Sequence, residues 1–220
     1  MTRLQAAALR LKPQMAAALL HPLAKTALGL VLMAPAAYLL WAAVADRLGA
    51  NPAEALIRQS GEMTLRCLLL TLAVTPLREL TGWAALARFR RLLGLLTFTW
   101  AMLHLLSYGW LDMGLDLGDI VRDIIKRPFI LVGSLTLLLM LPLAATSFNA
   151  AIKAMGAARW KRLHQGVYAI GILAIVHFMW MRSGKNVYGA VLVYGAILVA
   201  LLAWRLRGPW QRLRIQAARR

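Results

Sequence analysis

Four histidines stand in or beside stretches otherwise almost without charge: His21, His104, His164 and His177. An ionisable side chain inside a bilayer is costly, so it marks a functional site by default. The bland alternative is a neutral imidazole hydrogen-bonded to a neighbouring helix. His21 precedes the first long apolar run and adjoins Pro22, an ordinary interfacial setting. His104 lies 12 residues beyond Leu92, the start of one apolar run, and His177 lies 14 beyond Leu163, the start of another. At 1.5 Å per residue these are roughly 18 and 21 Å deep. Two neutral imidazoles at one level on parallel helices suit axial ligation of a haem iron. Zinc fits less well, because its sites take three or four ligands and no Asp or Glu lies at this depth.

His164 sits just after Lys161 and Arg162, near the opposite end of the same run as His177. The positions 14 and 13 residues before His104 are Arg90 and Arg91. Arginine stays protonated, which makes it a poor iron ligand and a good partner for a haem propionate or a phosphate. A second haem at His164 is therefore left open. Thirteen residues turn about 220° past whole turns, so His164 and His177 would not share one face of a straight helix. Gly166 and Gly171 are the places where that helix could depart from regularity.

These residues need elements to position them, and composition says which kind. The 220 residues are 61% hydrophobic and 15% charged, above the apolar share of ordinary soluble domains. The net charge of +18 is not that of a nucleic-acid binder, which gathers basic residues on a folded surface. Here they fall between hydrophobic blocks, as in a membrane protein. The single cysteine, Cys67, excludes an internal disulfide, a C-x-x-C-H haem attachment and a cysteine-rich metal site. It reads as a small buried apolar residue. The basic N-terminus has no clear cleavage site, and its apolar residues are broken by Arg10, Lys12 and Pro13. It reads as a cytoplasmic lead-in over 1–25.

A spanning helix takes about 20 mostly apolar residues. Uncharged runs occur at 26–45, 92–111, 128–152, 163–181 and 186–204. A weaker sixth lies at 63–77, interrupted by Arg66, with Pro76 expected near its end. Pro35 and Pro142 fall inside spans, where membrane helices tolerate them. Six spans put both termini on one side. Of the 26 Lys and Arg, 18 then fall in the inner segments, and seven of the eight acidic residues fall outside. That asymmetry places both termini in the cytoplasm. The expected fold is an all-α, six-helix membrane bundle, with its membrane domain over 26–205 and a basic cytoplasmic tail over 206–220. Between the third and fourth spans, residues 117, 120, 121, 124 and 125 are apolar at helical spacing. This predicts a short helix on the outer face with Asp112, Asp116, Asp119 and Asp123 around it. Trp100, Tyr108, Trp110, Tyr168, Phe178 and Trp180 flank the histidines and read as interface anchors and packing.

Several stretches carry a resemblance: "RRLLGLLTFTWAMLHLLSY" (90–108), "RWKRLHQGVYAIGILAIVHFMW" (159–180), "TPLREL" and "KRPFILVG". Together with six spans and nothing further after the sixth, they resemble the ferric-reductase-like transmembrane superfamily. The closer likeness is to the MsrQ (YedZ) family, haem-binding membrane subunits of bacterial protein-methionine-sulfoxide reductase systems. The resemblance implies haem b on His104 and His177, with His164 a further haem-associated position. The larger oxidases of the superfamily carry a fourth histidine where this chain has Arg90 and Arg91. FMN binding is also implied, with no residue pattern to locate it.

The chain has no G-x-G-x-x-G fingerprint, so it is not expected to oxidise NAD(P)H alone or to hold a substrate-reducing site. Electrons would come from a cytoplasmic flavin reductase or from quinol. By the resemblance they would pass to a periplasmic molybdopterin enzyme of MsrP type in the bacterial inner membrane system, with the acidic 112–123 segment a candidate dock. The rivals are a stand-alone reductase of ferric iron or oxygen, and a small transporter using His104 and His177 as a proton relay.

Overall fold

The computed structural model describes residues 17–183 and 188–217, from 208 onward as backbone only. Its elements are α1 (Leu23–Val44), α2 (Pro52–Thr81), a 3-10 segment (Ala84–Phe89), α3 (Arg90–Ser107), a π-helical turn (Tyr108–Asp112), α4 (Leu117–Lys126), α5 (Pro128–Ala145), α6 (Asn149–Met155), α7 (Ala157–His164), α8 (Val167–Ser183) and α9 (Gly189–Ala217). No strand occurs among the described residues. Five segments are long and apolar enough to cross a membrane: Leu23–Val44, Ala84–Asp112, Pro128–Ala145, Ala157–Ser183 and Gly189–Arg207. The protein is an all-helical, multi-pass membrane protein.

The weak run at 63–77 lies within α2, whose 30 residues extend about 45 Å at 1.5 Å each. Its charges keep it below the five in apolarity, yet it is heavily buried. Ser60, Met63, Leu65, Cys67, Leu68, Leu69, Leu72, Val74, Thr75 and Pro76 are all shielded. Burial among other helices suits a segment that carries hydroxyls, while Arg66 stays exposed and pairs with Glu62 at 3.0 Å. Pro76 does not end it. The helix continues to Thr81 and stops where Gly82 takes φ 74°, its N–H bonding to the Arg78 carbonyl. Packing around the buried ring holds a proline that an isolated helix would reject.

The chain forms two compact units, the first through His104 and the second from Leu105. In the first, Leu39, Met63, Cys67, Leu96 and Trp100 make one core, and Val74, Phe89 and Leu93 another. Trp100 is 1% exposed and its Nε1 donates to the Leu32 carbonyl at 3.1 Å. It thus belongs to the packing side of that reading, because α1 offers a carbonyl that satisfies its one polar atom. Trp110, 67% exposed, fits the anchor reading.

In the second unit α5 packs chiefly on α8, which also packs on α9, while α4 lies against α5. Two apolar runs are not single helices. The run 128–152 breaks after Ala145, where the Thr146 hydroxyl donates to the Pro142 carbonyl at 2.6 Å and its N–H to the same oxygen. The run 163–181 breaks at Gln165 and Gly166, where Gly166 N–H turns back to the Leu163 carbonyl at 2.9 Å. His164 and His177 therefore sit on separate helices. Gly166 marks the break, whereas Gly171 stays within α8. The predicted short helix is α4, with Asp116 capping it through the Asp119 N–H at 2.9 Å.

Candidate histidine centre

Three histidines of the spans have three defined settings. His104, on the last turn of α3, places Nδ1 2.8 Å from the Ile57 carbonyl of α2. Ser60 Oγ stands 3.5 Å from the same nitrogen, with its own proton directed at the Leu56 and Ile57 carbonyls. His177, on α8, places Nδ1 2.6 Å from the Phe129 carbonyl of α5. A carbonyl oxygen only accepts, so in both rings Nδ1 carries the proton and the lone pair sits on Nε2. A metal-ligating histidine characteristically gives its other N–H to such an acceptor, which fixes tautomer and orientation.

His164 differs. Its Nε2 lies 3.0 Å from Thr146 Oγ1. That hydroxyl spends its proton on Pro142, so Nε2–H is the donor and the lone pair falls on Nδ1. The ring stacks on Trp160 at 3.9 Å between centroids, and Trp160 Nε1 donates to the Thr146 carbonyl at 2.9 Å. The three side chains tie α7 to the end of α5. His21 accepts from the Leu23 N–H at 3.2 Å, a local turn contact. Arg90 and Arg91 open α3, both exposed, and Arg90 donates to Thr75 Oγ1 at 2.6 Å.

Some residues beside these histidines carry little signal in the sequence. Arg182, in an outer loop by the span count, lies in the last turn of α8, only 9% exposed. Its guanidinium is 5.3 Å from the Phe178 ring centroid. The carbonyl partners, Ile57 and Phe129, carry no side-chain signal at all. A cation five residues past a histidine is visible in the chain, but not its burial.

The α4–α5 corner supports Phe129. Asp123 accepts from Tyr108 Oη at 2.6 Å and from Arg127 through two nitrogens. Arg127 also lies 4.0 Å from Asp112 and 5.8 Å from the Phe129 ring centroid. Pro128 then starts α5. The hydrogen-bonded Arg127 guanidinium holds the Asp123 carboxyl below its usual range. A depressed folded-state pKa stabilises above the ordinary value of 3.8, and that stability is lost as pH falls through the lower folded value. Asp123→Asn is expected to lower stability at pH 7 on the order of 1–3 kcal/mol. Thermal unfolding in detergent should show the wild type losing this advantage only below about pH 4, with the variant lacking that acid-dependent step.

Each unit thus presents one imidazole, His104 in the first and His177 in the second, with Nδ1–H on a backbone carbonyl and the lone pair on Nε2, the donor type that a haem iron takes. Among the described residues no group of three or more His, Cys, Asp or Glu gathers as a separate metal site.

Comparison with known proteins identifies the family. Residues 60–175 match the family model described as "Ferric reductase like transmembrane component". Three similar proteins are each named "Protein-methionine-sulfoxide reductase heme-binding subunit MsrQ". The Polaromonas naphthalenivorans protein is 58% identical over 196 residues, 89% of this chain and 90% of its own. That of Bordetella pertussis is 49% identical over 178 residues, 81% of this chain and 86% of its own. That of Caulobacter vibrioides is 44% identical over 177 residues, 80% and 83% respectively. No solved structure matches. On this identity and coverage, the chain belongs to the MsrQ haem-binding subunits of the ferric-reductase-like transmembrane family.

Proposed function

We propose that the chain is a b-type cytochrome subunit of the bacterial inner membrane. It carries electrons from a cytoplasmic flavin reductase, or from quinol in the bilayer, to a periplasmic molybdopterin methionine sulfoxide reductase of MsrP type. Its service is the repair of oxidised periplasmic proteins. The observation that carries this reading is the shared tautomer of His104 and His177, each with Nδ1–H on a backbone carbonyl.

In this reading His104 and His177 would hold the haem iron. Haem held on them supplies a one-electron carrier in a low-dielectric setting. The residues do the rest by fixing it in place. The two carbonyls hold the rings in one orientation and raise their basicity. Arg182 offers charge to a propionate, while Arg90 and Arg91, roughly 20 Å before His104 along the same helix, are candidates for a propionate or a phosphate at the inner level only. His164, with Nε2 committed to Thr146, would serve a second haem through Nε2 only after that bond is given up, or through Nδ1 with it kept. FMN on this chain is part of the family reading and has no residues attached.

Six spans, α2 included, put both termini in the cytoplasm. The membrane-embedded part is 26–205, and 1–25 and 206–220 flank it. In that topology α2 and α5 both run inward, and Ile57 and Phe129 both lie near their outer ends. The histidines' level in the outer half of the bilayer follows, on the side where a periplasmic acceptor docks. The acidic 112–123 segment is the proposed dock.

The test is spectroscopic and then kinetic. Purified protein made with ample haem should show a Soret band, and its absence would sink the cytochrome reading in favour of a transporter. The reduced protein in nanodiscs should be reoxidised by an MsrP-type enzyme plus methionine sulfoxide. Reoxidation by ferric chelate alone would support the stand-alone reductase instead. Reduction by flavin reductase with NADPH, compared with reduction by quinol, identifies the donor.

A further inference from the structure

Each proposed ligand ring rests on a glycine. A Cβ built on Gly133 would lie 2.8 Å from His177 Cε1, 2.9 Å from Nδ1 and 3.3 Å from Nε2. A Cβ on Gly61 would lie 3.0, 3.1 and 3.6 Å from the same atoms of His104. The order of the three distances is the same, so each ring presents its Cε1–Nδ1 edge to the glycine. Gly133 lies four residues after Phe129, and Gly61 four after Ile57. The accepting carbonyl is thus the one that the α-helical ladder joins to the glycine's own N–H, and it also takes the imidazole. The same device occurs once in each compact unit, 47 residues before His104 and 48 before His177.

We propose that Gly61 and Gly133 are positioning residues: each leaves a side-chain-free notch that lets an imidazole reach the carbonyl four residues earlier, which sets its Nδ1–H tautomer and aims Nε2 at the iron. This rests on the haem reading of His104 and His177. Glycine in a helix interior is otherwise unfavourable relative to alanine, so its use here calls for a close approach. Gly94 and Gly195, also inside spanning helices, lack that approach. A Cβ on Gly94 or Gly195 would meet a side-chain atom at no less than 4.0 Å. Carbon contacts are comfortable at about 3.5–4.0 Å. Alanine at 133 therefore drives the His177 ring back by roughly 0.7 Å or more, and alanine at 61 drives His104 back by roughly 0.5 Å. Either shift lengthens the bond to the carbonyl and turns Nε2 off its line.

The experiment is a double-mutant cycle on the full chain in detergent, read by thermal unfolding and by haem per chain. G133A should retain haem about 10-fold more weakly, the scale of losing an outer partner of a metal ligand. The haem that remains should have a shifted midpoint potential and a changed low-spin EPR signal. G195A, with room for its methyl, should keep wild-type haem, potential and stability. In haem-free protein G133A should lower the unfolding temperature. In the H177A background, where the colliding ring is gone, the same change should be neutral or stabilising. G61A with H104A should repeat the pattern. Wild-type haem content and potential in both G61A and G133A would overturn the notch while leaving the haem reading intact, as would equal destabilisation by G133A with and without the His177 ring. Full haem in H104A and H177A would instead overturn the haem reading, and the haem-free cycle would still decide whether the notches seat the rings.

Discussion

Replacing His177 by alanine is expected to leave the purified chain with almost no haem, and replacing His104 should do the same. Each side chain is proposed to supply one of two iron bonds. Its loss should therefore exceed the 10–100-fold weakening typical of removing only an outer partner. The structure adds a contrast that spacing could not. His164 donates from Nε2 to Thr146 and is stacked on Trp160, so His164→Ala should keep most of the haem and chiefly loosen the junction of α7 with α5. The pyridine haemochrome assay on protein purified from haem-supplemented cells measures all three variants against wild type. Haem lost equally in His164→Ala, with the helical content unchanged, would show that His164 is a ligand after all. Full haem in both His104→Ala and His177→Ala would refute the ligand pair.

The largest loss of stability is expected at Trp100. The side chain is 1% exposed and joins α1, α2 and α3 through Leu39, Met63, Cys67 and Leu96. Trp100→Ala would open a cavity and strip the Leu32 carbonyl of its indole donor. In a bilayer the helices gain little from avoiding water, and close packing carries their association. The dispersion attraction that the indole supplies to its neighbours has nothing to replace it. A destabilisation on the order of 3 kcal/mol follows from large-to-small substitutions of this kind. Trp100→Phe keeps most of the volume and loses the N–H, so it should cost less. Thermal unfolding in detergent of the two variants beside wild type checks the order. A Trp100→Ala protein as stable as wild type would mean that the first unit's core is not organised around this ring.

Much of the architecture is legible in the chain. Apolar runs of spanning length, the basic residues between them and the acidic turn before α4 all follow from what a bilayer excludes. Local chemistry also foretells the helix over 117–126, since capping by Asp116 and apolar spacing act within a few residues. Where sequence and structure part, the cause is packing between distant segments. Pro76 looks like a helix end, and burial within α2 overrides it. Arg182 looks like a loop cation, and the last turn of α8 shields it. The runs 128–152 and 163–181 look continuous, and turns at Thr146 and Gly166 divide them.

The sequence by itself determined the class of protein and the three histidines whose place in apolar runs needs a reason, because hydrophobicity and ionisation are properties of residue types. Only the tertiary structure decided which nitrogen of each ring holds the proton. His104 and His177 hold it on Nδ1, directed at carbonyls 47 and 48 residues earlier, while His164 holds it on Nε2, directed at a threonine hydroxyl. A backbone carbonyl is the same group in every residue, so no spacing or composition announces it as a partner. It becomes one when a glycine four residues on lets an imidazole come close enough to use it.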